Sequence, residues 1–262
     1  MRCLVLGATG RTGRLVVEQL LARGVAVRAL VRRRAGVSAT DRVPVDDGYR
    51  VDLEVVETEV ASLAPTTFVD HVQGCDAVVS CLGPNVSLHG VFGPPHDLVT
   101  RAVGQVIDAA EGLRPDVAIR LVLMSSVSVN RPARADTRRG AIERAFLWAL
   151  RGLLPPARDN QRAADLLVRR VGSDHPSIEW VAVRPDSLVA GPTGDYEVHE
   201  ALVTSVFRAD ATRIADVAHF IATLVTDPAA WERWRGRMPV IVSERRGERP
   251  WNGREPGTVR DA

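Results

Sequence analysis

Lysine is missing from this chain of 262 residues: all 34 of its basic side chains are arginine. That absence excludes Schiff-base chemistry, a lysine acid or base, and a lysine positioning a ribose. Aromatic residues make up only 5% of the chain, with two tyrosines, Tyr49 and Tyr196. Three cysteines, Cys3, Cys75 and Cys81, form an odd set without metal-ligand spacing, and reduced buried thiols of a cytoplasmic protein are the expectation. No His, Cys and Asp cluster has metal spacing and no Gly-x-Ser-x-Gly elbow occurs, so neither metal nor acyl-transfer chemistry is indicated. Apolar runs stop short of the roughly 18 residues of a spanning helix, and the amino terminus opens on a strand pattern rather than a secretory leader. A formal net charge of +2 makes no case for nucleic acid or an anionic membrane as partner.

What the chain does hold is an alternation of short apolar runs with helical patterns. Strand patterns fall at 2–6, 25–31, 49–60, 76–83, 118–129, 177–185 and 238–244. Helical patterns fall at 11–23, 65–73, 96–112, 160–172 and 215–227, with a further helix expected from about 197 to 207. Residues 32–48 read as loop. Such alternation predicts βαβ units: a Rossmann-type doubly wound parallel sheet with helices on both faces and a small C-terminal substrate-side extension. A single domain over 1–244 is expected, with insertions at 84–96, 130–158 and 186–212, and the polar stretch 245–262 reads as a disordered tail.

The first strand runs into "GATGRTG", residues 7–13. Gly7 permits a sharp turn, Gly10 lets backbone approach a pyrophosphate, and Gly13 allows close helix–strand packing. Thr9, Arg11 and Thr12 fill the turn, and the helix amino terminus offers free N–H groups and positive dipole. After the second strand an NAD-selective fold places an acid on the ribose 2′-hydroxyl, whereas a 2′-phosphate calls for arginine. Arg32, Arg33 and Arg34 stand there, no acid precedes Asp41, and Arg11 lies within reach. NADP(H) is therefore favoured over NAD(H).

With "GATGRTG", "ALVRR", "GCDAVVSCLG", "RLVLMSS", "NQRAADLLVRR" and "IEWVAVRPDSLV", the chain resembles the atypical short-chain dehydrogenase/reductases, in particular their NmrA-like and biliverdin reductase B-like group. The resemblance implies that Cys81, Leu82 and Gly83 run beside the cofactor's ribose and pyrophosphate. It also places Ser125 and Ser126 at the active-site serine position and Arg184–Pro185 beside the nicotinamide. One feature of the superfamily is absent, the tyrosine followed four residues later by lysine: Ala157 and Gln161 align near those positions. Gln161 or Asn160 could still bond the nicotinamide ribose, but neither can act as an acid or base.

For substrate, Ser126 could orient a carbonyl or simply satisfy backbone as a strand-end serine. His89 and His96 flank "GVFGPP" and could each donate a proton near neutral pH. Tyr196 is the one phenol with a route to a substrate lip, its alternative being core packing. Residues 139–154 carry an apolar helical stripe that could cover substrate or pair with a second subunit, although packing against the domain is the simpler expectation. Three functions follow from these residues. The first is an NADP(H)-dependent oxidoreductase acting on a small organic substrate (quinone, flavin, enone or carbonyl). The others are a non-catalytic NAD(P) sensor and a nicotinamide-using isomerase or epimerase.

Overall fold

The computed structural model describes residues 1–32, 40–44, 50–83, 93–132, 136, 138–243 and 259–261. Strand β1 (Arg2–Leu6) is apolar from Cys3 onward because both its faces are covered. Cys3 and Val5 point into one core, Leu4 and Leu6 into the other. The same double burial explains the predominantly apolar runs of β2 (Ala26–Val31), β5 (Ala77–Ser80), β6 (Ile119–Met124) and β7 (Ile178–Pro185). With β4 (Arg50–Glu57) and β11 (Val240–Val242) these make seven mutually parallel strands, in the order β11-β7-β6-β5-β1-β2-β4. The sheet order reverses between β1 and β5, the place where doubly wound folds open a crevice at the strands' carboxyl ends.

Helices α1 (Arg11–Ala22) and α6 (Ile214–Thr226) pack together on one face. On the other, α3 (Leu98–Leu113) packs against both α2 (Pro65–Val72) and α5 (Pro155–Leu166). Helix α4 (Ala141–Leu153) precedes α5, and α7 (Pro228–Trp234) follows α6.

Several expectations are corrected at the periphery. The loop expected over 32–48 contains β3 (Thr40–Pro44), which adds to β4 antiparallel. No helix spans 197–207: Tyr196–His199 form β9, antiparallel to β11, and a single 3₁₀ turn follows at Val206–Arg208. Alternate positions of "YEVH" suit a sheet edge, where Tyr196 and Val198 turn inward to the core. Part of the stretch read as a disordered tail, Val259–Asp261, forms β12 beside β9. A two-stranded parallel pair, β8 (Ser187–Val189) and β10 (Ala211–Arg213), lies outside the main sheet.

Helix α5 begins at Pro155 rather than near Asn160, because a proline in the first turn forfeits only an N–H that has no helical partner. The stripe on α4 does not pack against the domain as expected. Of that helix only Glu143 and Leu147 are buried.

Candidate functional site

At the β1–β5 crevice the chain leaves a cavity of about 430 Å³. Its floor is the turn after β1. Gly7 has φ +77°, and a Cβ there would sit 2.8 Å from the Cys81 carbonyl oxygen, so the position tolerates only glycine. At Gly13 a Cβ would lie 2.1 Å from the Gly7 carbonyl oxygen, which is the close helix–strand approach its spacing predicts. Gly10 is the N-cap of α1 and has no side chain to accept from the first turn, and that turn contains no acidic residue. The first-turn N–H groups therefore keep their hydrogen-bonding capacity and the helix dipole keeps its sign, an arrangement suited to a phosphate.

The sequence-derived residues Gly7, Thr9, Gly10, Arg32, Cys81, Leu82 and Gly83 line this cavity together. Arg11 stands exposed at the start of α1, and Thr12 and Gly13 are buried behind the turn. Neither Arg33 nor His89 is among the described residues. His96 does line the cavity, as do Asn160 and three groups the sequence did not single out, Thr58, Glu59 and Asp159.

One wall is held by a single carboxylate. Asp159, buried in α5, accepts from the Val99 and Thr100 N–H groups at 2.8 and 3.0 Å, capping α3 where its own N-cap Asp97 forms no such bond. Thr100 Oγ1 donates to the Asp159 carbonyl at 3.0 Å. This tie brings Pro155, Pro156 and Asn160 opposite Leu98 and Val99 across the cavity wall. An aspartate inside one helix capping another leaves no local sequence signature, so spacing rules pass over it. Cys81 remains a thiol, since burial pushes its pKa up to about 12.

The remaining candidates lie elsewhere. Gln161 accepts from the Asn130 N–H at 2.8 Å and donates to the Asn130 carbonyl and to Asp165 at 3.1 and 3.0 Å. Its amide is thus committed to the loop after β6, not to a cofactor ribose. Ser126 Oγ accepts from the N–H and hydroxyl of Ser128, both at 3.2 Å, the strand-end role weighed for it. Ser125 is buried, and its Oγ has no partner among the described residues. Pro185 is buried at the end of β7 and does not reach the cavity.

Tyr196 is corrected outright. At 2% exposure it belongs to the core, and its hydroxyl meets His219 Nδ1 at 2.8 Å. Burial first, and then the Asp216 charge, hold its pKa well above the ordinary phenol value. It is not a proton source for anything in the cavity.

Across residues 7–228 the chain matches a family described as NAD(P)H-binding. It belongs to that family. The atypical short-chain dehydrogenase/reductase character of its motifs fits this membership. Among solved structures, the NAD(P)H-binding chain is similar to the oxidoreductase ylbE from Lactococcus lactis. The identity is 18% and the TM-score 0.63, covering 94% of this chain and 92% of that one. A candidate NADH-flavin reductase from Streptococcus pneumoniae is similar at 17% identity and TM-score 0.60, over 93% of this chain and 100% of that one. At these identities the likeness is one of fold. A curated relative, sterol demethylase protein B of Methylococcus capsulatus, is 49% identical over 49 residues, 19% of this chain. That match spans only 15% of the relative's length. Among the described residues no helix is long and apolar enough to cross a membrane, and no cluster of His, Cys, Asp and Glu could hold a metal.

Proposed function

We propose that the protein is an NADP(H)-dependent oxidoreductase that passes hydride between nicotinamide and a small organic substrate (a quinone, flavin, enone or carbonyl) without a Tyr–Lys pair. The observation that carries it is the cavity itself, in which an uncapped, glycine-lined helix amino terminus and Arg32 share one wall system. Family membership supports a nicotinamide dinucleotide as the ligand, and the residues present fit one. Backbone N–H groups of the Gly7–Gly13 turn bind pyrophosphate. Arg32 binds the 2′-phosphate, with Arg33 next to it in sequence and Arg11 exposed at the start of α1. Leu82 and Gly83 flank the ribose. When bound, the nicotinamide supplies or takes the hydride.

The protein then has to orient the acceptor and deliver a proton. His96 is the imidazole among the lining residues, and of the proton sources weighed with it, His89 and Tyr196, the second is enclosed in the core. Ser126 does not line the cavity and its Oγ accepts two bonds from Ser128, so orienting the acceptor falls to groups that do line it. Reduction of a quinone, flavin, enone or carbonyl by hydride takes up one proton, so a site with one acid suffices.

Calorimetric titration with NADPH, NADH, NADP⁺ and NAD⁺, on wild type and Arg32→Ala, tests the reading. Tighter binding of the phosphorylated pair, lost in the variant by about tenfold or more, is expected. NADPH oxidation should then follow with at least one acceptor of the four classes. Equal affinity for NADH and NADPH would remove the arginine assignment. Binding without turnover on any acceptor would favour the second reading, a dinucleotide sensor, for which the commitment of Gln161 to the Asn130 backbone already speaks.

A further inference from the structure

Helix α4 turns an apolar face to solvent. Ile142, Trp148 and Leu153 are 80, 79 and 74% exposed, and Phe146 and Phe207 are 44 and 53% exposed with ring centroids 5.2 Å apart. At about 100° per residue these side chains leave a gap on the helix surface filled by Ala145, Ala149 and Gly152, so the outward arc contains no polar side chain. Ordinary surface helices do the reverse, and a contiguous patch of this kind marks an interaction surface.

The charges around the patch decide its occupant. Residues 138–158 contain five arginines and one glutamate, a local +4 against +2 for the entire chain. Arg138, Arg144, Arg158 and Arg208 are exposed at the two ends and along the flanks of the face. Among the described residues, the carboxylates beside this face are turned inward. Glu143 is buried and accepts from Arg139, Ser205 and the Val206 N–H. The Asp136 side chain is 2% exposed against Arg184, and Asp159 caps α3. A symmetric second copy would press one arginine rim against another with no exposed acid on the face to meet it. An apolar helix face with Trp at its margin and arginines around it suits an interface of acyl chains and negative headgroups.

We propose that the outer face of α4, with Phe207, docks in the plane of an anionic lipid surface. Whole-chain charge conceals this, because the surplus of arginine is local and its carboxylates are buried. The inference rests on the surface alone and is independent of the cofactor reading.

Sedimentation of the full chain with phosphatidylcholine vesicles, with and without phosphatidylglycerol, is the test. Binding is expected to the anionic vesicles, weakening as salt rises. The Trp148→Gln/Leu153→Gln variant should partition about tenfold or more weaker, from the apolar area withdrawn. Its thermal midpoint should match wild type, both side chains being outside the core. Wild type that ignores anionic vesicles, or a variant that binds them equally, overturns the proposal. So does sedimentation-velocity analysis showing a lipid-free dimer that the double variant breaks, since a second copy would then occupy the face.

Discussion

At the residue scale, the pair of candidates Tyr196 and His96 shows how position outweighs chemistry. A phenol is the ordinary acid of short-chain reductases, but here it is enclosed with Phe220, and its partner is another ring, His219. His96 has the weaker sequence signal, a histidine beside two prolines, yet it opens on the cavity. If it delivers the proton, His96→Gln should lower kcat by about a hundredfold or more for carbonyl reduction while leaving the NADPH Kd in place. Pre-steady-state turnover checks this, and an unchanged kcat would assign the proton to water. Gly7 and Gly13 could be assigned from sequence because their constraint is local: a backbone angle at one, a 2.1 Å approach at the other.

At the scale of elements, the segment between β6 and α5 is held by buried charge rather than by an apolar core. Arg184, fully buried in β7, donates from Nε to the Met238 carbonyl at 3.0 Å and from Nη1 to Asp136 Oδ2 at 3.2 Å. Burial, ahead of the attraction of Asp136, brings its pKa down to about 10, so it remains a cation at neutral pH. Arg139 lies against Asp136 and Glu143 and donates to the Val127 carbonyl. Removing one partner leaves a charge stranded. Asp136→Ala is expected to cost about 3–5 kcal/mol in urea unfolding, and a loss below about 1 kcal/mol would show the network to be dispensable. The parallel strands were legible because burial on two faces writes runs dominated by apolar residues. The edges were not: β9 is four residues long, and its "YEVH" precedes a stretch whose apolar spacing imitates a helix. The start of α5 was displaced because Pro155–Pro156 signals both an end and a beginning. The exposure of α4 was hidden for another reason, since a stripe's pattern is identical whether it faces a core or the outside.

For the whole molecule, two histidines tie stability to pH. His219 and His71 are both held below the ordinary imidazole value, by burial first and then by Arg23 and Arg28 respectively. In the unfolded chain each titrates near about pH 6.5, so below that pH the unfolded state binds protons the folded state resists. Stability therefore rises with pH through this window and is lost as pH falls. Asp186, raised by burial, works in the opposite direction at lower pH. The melting temperature should decline between about pH 7 and pH 5.5, and His219→Gln should flatten that slope. An equal slope in the variant would place the dependence elsewhere.

The bond from Asp159 to the start of α3 has a thermodynamic side as well. Two helices arriving from distant parts of the chain are locked at one corner by a carboxylate that both N–H groups share. Torsional freedom at that corner is surrendered on folding, before any ligand arrives. Association then has to restrain the incoming molecule but not the corner that receives it, so its entropy of binding should be that of a ready-made socket rather than of a surface that must first be assembled.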